Sequence, residues 1–556
     1  MFLASGEITE EQLQRALETQ KKNGRKLGQV LCDLGFVSQN RVYEMLARQS
    51  GAEFADITKM VIPKELSRIL PRSIARKYTL VPLSADDTTI RVAMADPRNF
   101  VAIDEVKLAT RRKVETALAT EESINRAVAD LYGSETAEKA LQELKSDGAE
   151  EENTFNQIAQ DIAGADNENA APTIRLVNSF IEYAVNQNSS DIHLEPREDH
   201  MAVRMRVDGV LRQMFTVPRK TQNAVIARIK VMGNMDIAEH RIPLDGRSNA
   251  RVGGKNVDLR ISTLPTVYGE KVVIRLLYKS GTLMNTGGIG LKGRNLEKFE
   301  NLLKNSNGVI LIVGPTGSGK STSMYTMIKQ LNTEQVNLVT LEDPVEYEFP
   351  GVNQVQINEK VGMTFANGLR SILRQDPDII AVGEIRDGET ADIAMRAAIT
   401  DHLVLSTLHT NDAPSTVSRL LDMGVEGFLI ATALKGVISQ RLVRRICPNC
   451  RQDYAASQEE QAMMGLPYVP GRKFYRGRGC PLCFNTGYRG RTAVFEILTI
   501  NKAMERAIAD NAPQSEFIKL VNESDFVPLR EDCARLVTEG LTTVDEAFKT
   551  VNTTDI

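Results

Sequence analysis

Four short apolar runs, separated by helix-length amphipathic segments, dominate the second half of the chain. They lie at 309–313, 338–341, 379–382 and 403–406. Runs of this length between turn residues are typical of strands buried on both faces, and helix-length connections between them are typical of a parallel sheet. The pattern therefore predicts an α/β domain over residues 286–440.

The pattern changes in the region before this domain, where apolar and polar residues alternate after a predicted helix at Pro172–Asn188. The alternating segments are Met201–Val207, Val210–Val217, Val257–Ser262 and Lys271–Leu277. Alternation of this kind predicts half-buried strands. Residues 171–285 are therefore predicted to form a separate mixed α+β domain.

An internal repeat opens the chain. The pattern G-x-I…L-x3-L-x2-Q at 6–20 returns 29 residues later as G-x-V…V-x3-L-x2-Q at 35–49. Each copy predicts an amphipathic helix after a glycine turn, within a repeat region at 1–57. Residues 58–133 then predict a small α/β unit with strands at Ile74–Leu83 and Thr89–Met94.

Charge and composition define the connections and exclude some classes of protein. Residues 134–170 carry ten acidic side chains against two lysines, which is typical of a solvated linker. The whole chain has a net charge of −4, which argues against a dedicated nucleic-acid binder. No apolar run reaches the roughly 18 residues that span a bilayer, and the start has no signal-peptide pattern. We expect a cytoplasmic protein that meets a membrane through partners.

The strongest chemical signal is GPTGSGKST, a complete G-x4-G-K-[ST] between the run 309–313 and a predicted helix. In such a loop, backbone N–H groups and a helix N-terminus surround the phosphates of ATP. Lys320 is predicted to reach the β- and γ-phosphates, and Ser321 to ligate Mg²⁺. The predicted nucleotide-binding residues are Gly314, Pro315, Thr316, Gly317, Ser318, Gly319, Lys320, Ser321 and Thr322.

Acidic residues follow two of the apolar runs. Glu384 follows 379–382 and is predicted to be the general base that activates water, the alternative being a surface salt bridge with Arg386. Glu342 and Asp343 follow 338–341, and in a regular strand only one of them can face the nucleotide. We predict that Glu342 acts on Mg²⁺ or water; a purely structural turn is the alternative.

Two histidines flank the last run, and four arginines lie on the preceding domain. His409 is predicted to sense the γ-phosphate, whereas His402 could equally be structural. An arginine from another domain or subunit can stabilise the charge that develops during ATP hydrolysis. The candidates share alternate positions on predicted strands, and each could instead be a surface residue: Arg204, Arg206, Arg260 and Arg275.

Two CxxC pairs near the end of the chain predict a metal site. Cys447 and Cys450 are separated from Cys480 and Cys483 by 29 residues. Four thiolates with this arrangement complete a tetrahedral Zn²⁺ site and leave no open position, so the role is structural. A disulfide or redox pair is the alternative. We predict a zinc subdomain at 441–500 and a helical region at 501–556.

Together these strings resemble the type II secretion and type IV pilus assembly ATPase family. The resemblance extends over 171–500 and includes TLEDPVEY, LRQDPDIIAVGEIRD, HLVLSTLHTNDA, RLVRRICPNC and GCPLCFNTGYRGRTAVFE. It implies a homohexamer of RecA-like cores, each preceded by a PAS-like domain, with ATP and the arginines between them. It also implies an inner-membrane platform protein as partner and a peripheral place at the inner face of the cytoplasmic membrane.

Some features depart from the family or separate its members. The N-terminal repeat resembles a cyclic di-GMP-binding module, but Lys26 before the second copy stands where that module has Arg, and the first copy lacks this lead-in. A docking module for the platform is therefore the alternative. Asp401 stands where the family usually has Gly. The long N-terminal region and the four Cys favour an extension or secretion motor over a retraction motor. The repeat at the start and the moderate length favour pilus extension, with type II secretion as the alternative. A nucleic-acid motor and a nucleotide switch that does not hydrolyse ATP are further alternatives.

Overall fold

The computed structural model describes Phe2, residues 8–132 with short gaps, 172–278 except 253–254, and 286–552. Contacts divide the chain into two compact units, Met1–Lys279 and Ser280–Ile556. Among the residues described, no helix combines the length and apolarity needed to cross a bilayer. The predicted linker, and Gly6, Lys26 and Gly35 of the repeat, lie outside the described residues.

The first unit contains two sheets with helices packed on them. Its strands are β1 (Glu53–Phe54), β2 (Leu80–Ala85), β3 (Thr89–Met94), β4 (Lys113–Leu118), β5 (Asp191–Pro196), β6 (His200–Val207), β7 (Val210–Pro218), β8 (Leu244–Val252), β9 (Lys255–Thr266) and β10 (Gly269–Tyr278). Its helices are α1 (Glu10–Asn23), α2 (Leu27–Asp33), α3 (Gln39–Ser50), α4 (Leu66–Ile69), α5 (Arg72–Lys77), α6 (Phe100–Thr110), α7 (Pro172–Asn186) and α8 (Gln222–Met232).

The N-terminal part of this unit confirms most of its predicted elements. Helices α1 and α3 are those of the repeat, and a four-stranded sheet follows in the order β1-β4-β3-β2. The strand predicted at Ile74–Leu83 is wrong in its first half, which forms α5. Pro71 precedes that helix in an extended conformation, and Thr79 then turns the chain with a φ of 49°. Strand β2 therefore begins only at Leu80.

A six-stranded antiparallel sheet forms the rest of the unit, in the order β7-β6-β5-β10-β9-β8. Its apolar face is buried in a core that includes apolar residues of helices α7 and α8, and all four strands predicted here are confirmed. Two strands were not predicted. Strand β8, LDGRSNARV, alternates between partly buried and exposed residues, but Gly246 and Ser248 interrupt the apolar residues of its inner face and weaken the signal.

The second unit contains one large sheet, a small one and twelve helices among the residues described. Its strands are β11 (Gly308–Val313), β12 (Leu338–Glu342), β13 (Asn353–Gln356), β14 (Ile379–Val382), β15 (Leu403–Leu408), β16 (Leu434–Ile446), β17 (Arg451–Ala455), β18 (Lys473–Gly477) and β19 (Tyr488–Thr499). Its helices are α9 (Thr286–Ile289), α10 (Gly293–Leu302), α11 (Lys320–Leu331), α12 (Phe365–Ile372), α13 (Gly388–Ile399), α14 (Ser415–Asp422), α15 (Gly427–Ala433), α16 (Gln458–Met463), α17 (Lys502–Ala509), α18 (Gln514–Asn522), α19 (Leu529–Thr538) and α20 (Val544–Asn552).

The large sheet has seven strands in the order β13-β12-β14-β15-β11-β16-β19. All neighbouring pairs are parallel except β16 and β19. The four predicted strands are confirmed, and buried apolar residues cover both faces of the sheet, as expected for an α/β domain. The boundary predicted after residue 440 lies within β16, because that strand continues from the sheet towards Cys447.

Candidate active site

The G-x4-G-K-[ST] segment lies between β11 and α11, as predicted. Gly314, Gly317 and Gly319 have φ values of 142°, 79° and 91°, in the region that favours glycine. A Cβ atom at Gly314 would lie 2.4 Å from the carbonyl oxygen of Gln440. The loop therefore needs glycine both for its turns and for its close packing against β16.

Lys320 is buried at the start of α11, and its Nζ donates to loop carbonyls: Gly314 O at 2.8 Å and Pro315 O at 3.2 Å. Burial lowers the pKa of Lys320; the nearby Glu384 carboxylate opposes this effect and Arg441 adds to it. The Ser318 hydroxyl is buried without a hydrogen-bond partner. A loop with an inward-facing ammonium group and an unsatisfied hydroxyl fits a phosphate group.

Other predicted residues lie at the same edge of the sheet. The parallel strands β11, β12, β14 and β15 all end there, and we call it the carboxyl edge. Ligands of open α/β sheets bind outside the carboxyl ends of the strands. The side chain of Ser321 is exposed at this edge, which fits its predicted contact with Mg²⁺.

Glu384 lies just beyond β14 in a cluster of cations. One carboxylate oxygen accepts from Arg386, and the other lies 3.5 Å from Nε2 of His409. Burial by itself would raise the pKa of Glu384, but the contacts with Arg386 and His409 together hold it below its usual value. Glu384 is thus an ionised carboxylate within the electrostatic reach of Lys320. The salt bridge between Glu384 and Arg386, which was the alternative to a catalytic role, is therefore present. It does not exclude the role of a general base, because the carboxylate is ionised and lies at the carboxyl edge.

Glu342, at the end of β12, has a different environment. It is 3% exposed and accepts hydrogen bonds from Tyr325, Thr340 and Gln354. Its neighbour Asp343 is partly exposed, and Oδ2 of Asp343 lies 3.5 Å from the Arg386 guanidinium group. Asp343 therefore lies with Glu384, whereas Glu342 would have to leave its hydrogen-bond network to reach Mg²⁺ or water.

The two histidines lie at opposite ends of β15. His409 is half-exposed at the carboxyl edge. His402 precedes the strand, and its Nδ1 donates to Ala397 O at 2.9 Å. The structural alternative for His402 is therefore the one that its contacts support.

Arg441 is a residue of this site that the sequence reasoning missed. It lies on β16, is 8% exposed, and donates to Asn411 O at 2.8 Å, in the loop after His409. Its charge also acts on Lys320. The sequence RLVRRICPNC was interpreted only for its cysteines. The alternation of side chains along the buried segment SQRLV could have predicted that Arg441 faces the protein interior.

The predicted arginines lie on the polar face of the six-stranded sheet in the other unit. Arg206 and Arg275 both pair with Asp191, and Arg204 pairs with Glu195. Arg260 lies directly opposite Arg275 on one side and opposite Arg247, which was not predicted, on the other. Like charges in directly opposed positions are destabilising. These three arginines line a cavity of about 410 Å³, which makes this face a candidate anion site.

The four cysteines of the CxxC pairs meet in a compact cluster. Their Sγ atoms all lie within 4.8 Å of one another, and the Cys447–Cys480 and Cys450–Cys483 separations are 3.9 Å. Zn–S bonds of about 2.3 Å place tetrahedral sulfurs about 3.8 Å apart, so the cluster fits Zn²⁺. N–H groups of Asn449 and Gly487 donate to Sγ atoms, as expected around thiolates. Strands β17 and β18 pair between the knuckles, which accommodates the long spacer.

Known proteins resemble the chain over most of its length. Residues 166–549 match the family described as "Type II/IV secretion system protein". The chain is 38% identical to the type IV pilus assembly ATPase PilB of Myxococcus xanthus over an alignment of 550 residues that covers 97% of this chain and 96% of that protein. The chain belongs to this family of secretion and pilus ATPases. It is therefore an ATPase, as the sequence predicted.

Other members of the family are similar to the chain at a comparable level. It is 39% identical to the type II secretion system ATPase E of Vibrio cholerae over 500 residues, which are 89% of this chain and 99% of that protein. The X-ray structure of the Legionella pneumophila ATPase DotB superposes with a TM-score of 0.51 at 20% identity, covering 68% of this chain and 95% of that one. This likeness supports the fold alone.

A second family, the MshEN domain, matches residues 50–138. The match covers the α/β part of the N-terminal region and only the end of the repeat at 1–57. The match therefore supports an MshEN domain in this ATPase. The prediction that cyclic di-GMP binds was based on the repeat at 1–57, most of which the match does not cover.

Proposed function

We propose that this ATPase powers type IV pilus assembly as a homohexamer at the inner face of the cytoplasmic membrane. The observation that carries the proposal is the meeting of Lys320, Glu384 and His409 at the carboxyl edge. The relative named for pilus assembly aligns over nearly the whole chain, including the N-terminal region, which favours this machine. The platform protein of the inner membrane is the proposed partner.

The proposed reaction uses the groups at the carboxyl edge. Loop N–H groups and Lys320 hold the phosphates of ATP, and Ser321 holds Mg²⁺. The Glu384 carboxylate accepts a proton from water while the water oxygen forms a bond to the γ-phosphorus. The bond from that phosphorus to the β–γ bridging oxygen breaks, and ADP leaves with the electron pair. His409 contacts the departing phosphate. Glu342 is proposed to act on Mg²⁺ or water only after its carboxylate leaves the hydrogen bonds from Tyr325, Thr340 and Gln354.

The arginine-rich sheet face of the other unit is proposed to neutralise the phosphates, either in the same chain or from a neighbouring copy. Arg247, Arg260 and Arg275 oppose one another without a compensating carboxylate directly between them in the ladder. An anion would relieve their repulsion. Arg204, Arg206 and Arg275 already have acidic partners, and they are proposed to move onto phosphate only when the nucleotide is bound.

Zinc and a cyclic dinucleotide complete the proposed ligands. Zn²⁺ held by the four cysteines closes the spacer that contains β17 and β18. Cyclic di-GMP is proposed to bind the N-terminal domain, supported by the MshEN match. Calorimetric titration with cyclic di-GMP, with GTP as the control ligand, tests this step; no heat above that of GTP would favour the docking role.

Type II secretion is the second candidate, since the relative named for it is 39% identical over 99% of its length, against 38% for the pilus relative. In a strain deleted for the chain, return of surface pili on complementation supports pilus assembly. Return of a secreted enzyme without pili supports secretion. Turnover that depends steeply on added DNA would instead indicate a nucleic-acid motor.

The chemical part of the proposal is tested with Glu384→Gln. We expect kcat for phosphate release to fall by about 10²–10⁴-fold, because general-base catalysis contributes that much, with nucleotide affinity retained. Glu389→Gln, an exposed glutamate on α13, is the matched control. Equal, near-zero rates in the native chain and the Glu384 variant would identify a switch that binds ATP without hydrolysing it.

A further inference from the structure

The loop that follows His409 is held by two buried side chains from outside the strands that were predicted to form the site. Arg441 on β16 donates to Asn411 O at 2.8 Å. Glu496 on β19 accepts from the N–H of Ala413 at 2.8 Å. The two side chains are diagonal neighbours on paired strands, and each lies in the electrostatic field of the other. Residues 409–414 are thus fastened at two points.

The second carboxylate oxygen of Glu496 fastens a different element. It accepts from the N–H of Leu529 at 3.1 Å, at the start of α19. Helix α19 has Pro528 at its N-cap and no side-chain cap of its own, so Glu496 supplies the acceptor that a capping residue would provide. One carboxylate therefore joins the His409 loop to the C-terminal helices.

A buried carboxylate is a costly way to hold two amides. Glu496 is 5% exposed; burial raises its pKa and Asp412 adds to the rise, while the amides of Ala413 and Leu529 oppose it. Stability alone is served as well by apolar packing as by a buried ionisable group. The hydrogen bond from Ala413 to Glu496 suggests instead a role for this carboxylate in holding the His409 loop.

We propose that Glu496 is a positioning residue for ATP hydrolysis, which holds the Ala413 amide so that His409 stays against Glu384. The inference rests on the roles proposed for His409 and Glu384. Because the same carboxylate also accepts from Leu529 at the start of α19, a movement of the His409 loop would also affect the C-terminal helices.

The test is Glu496→Gln, measured with Asp532→Asn as the matched control. Glutamine keeps the size but offers only one acceptor oxygen to the two amides. Asp532 is also buried at the joint between β19 and α19, where it accepts from Phe495 N–H at 2.9 Å. The recorded partners of the Asp532 carboxylate are Phe495 and Arg535. Asp532→Asn therefore disturbs the contact between β19 and α19 but not the His409 loop.

We expect Glu496→Gln to lower kcat by about 10–100-fold with the KM for ATP changed less than about twofold, as for a small misplacement of a reacting group. Asp532→Asn should lower the melting temperature comparably and keep kcat. Equal kcat in the two variants would overturn the inference.

Two further measurements keep the result clear if Glu496→Gln is unstable. Amide hydrogen exchange well below melting should become faster in the peptide that contains Ala413 in this variant, and stay unchanged there in Asp532→Asn. The double variant Glu496→Gln/His409→Ala should have the kcat of His409→Ala alone, since both lose the same contact. Independent, multiplying effects would contradict the proposal. If Glu384→Gln hydrolyses ATP normally, the proposed function fails first, and the inference with it.

Discussion

The two edges of the seven-stranded sheet are built differently. At the carboxyl edge, Lys320 and Ser318 leave polar atoms that loop carbonyls satisfy only in part, and Glu384 lies among cations. At the amino edge, the turns close on themselves: Asn337 N donates to Asp378 Oδ2 at 2.7 Å, and Gly308 N to His402 O at 3.1 Å. One edge is prepared for a ligand, and the other is complete without one.

This contrast explains why two histidines of one motif differ. His402 and His409 are seven residues apart on either side of β15. In a parallel sheet, the residues that follow each strand lie at one edge, and the residues that precede each strand lie at the opposite edge. Substitutions at the carboxyl edge should therefore change kcat, and substitutions at the amino edge should change stability.

The largest expected effect is at Lys320. Lys320→Ala removes the ammonium group that the loop holds inward, so phosphate release should fall by about 10²–10³-fold or more, as when a transition-state donor is lost. Steady-state hydrolysis at saturating Mg²⁺ and ATP measures it. Lys329→Ala, an exposed lysine on the same helix, should retain the native rate; a normal rate in the Lys320 variant would refute the assignment of this edge.

A smaller effect is expected in the pH profile of Arg386→Ala. Without Arg386, burial dominates and the pKa of Glu384 rises, so the protonated, inactive carboxyl group appears at higher pH. In the native protein, the depressed pKa keeps the base and its stabilising contact intact until pH falls through that low value. The acid limb of kcat should therefore shift upward. Arg396→Ala is the control, and an unshifted limb would show that Glu384 does not act as the base.

At the amino edge, His402→Ala should affect stability alone. It removes one hydrogen bond to Ala397 O, worth about 1 kcal/mol, so melting of the ATPase core should fall by about 2–4 °C. The kcat measured well below melting should match the native value. A fall in kcat at unchanged melting temperature would break the comparison between the edges.

The smallest effect is expected at Asp401. Its φ is 67°, a left-handed conformation that favours glycine, which accounts for the Gly usual at this position in the family. Asp401→Gly should relieve strain and raise melting by about 1–2 °C, net of the added freedom of the unfolded chain. Asp401→Val should lower it. The opposite order by calorimetry would refute the backbone explanation.

The sequence predicted the parts of this fold in which pattern and geometry coincide. The buried runs became strands, the loop of Gly314–Gly319 took its expected place, and the four cysteines converged. Prediction from the sequence failed where the apolar pattern was weak, or where a side chain contacts residues that are distant in the sequence. In strand β8, Gly246 and Ser248 interrupt the apolar alternation, and residues 72–77 formed a helix after Pro71.

Contacts distant in sequence decide the rest of the site. Nothing in TLEDPVEY reveals that Gln354 and Tyr325 would enclose Glu342 while Asp343 turns towards Arg386. Arg441 and Glu496 come from strands that had been assigned to the zinc region. Their roles depend on pairing across the sheet, which a single sequence does not specify.

The hairpin between the zinc knuckles has a practical consequence. Cys450 and Cys480 bring both ends of the 29-residue spacer together, and β17 and β18 pair inside it. The turn around Tyr468 and Val469 is exposed at its far end. Both backbone groups of Val469 pair with the buried Gln461, so a fluorophore or a short epitope belongs at Tyr468. Because lengthening a closed loop costs little free energy, we expect the fold to tolerate it there, where it would report motion of the machine while it works.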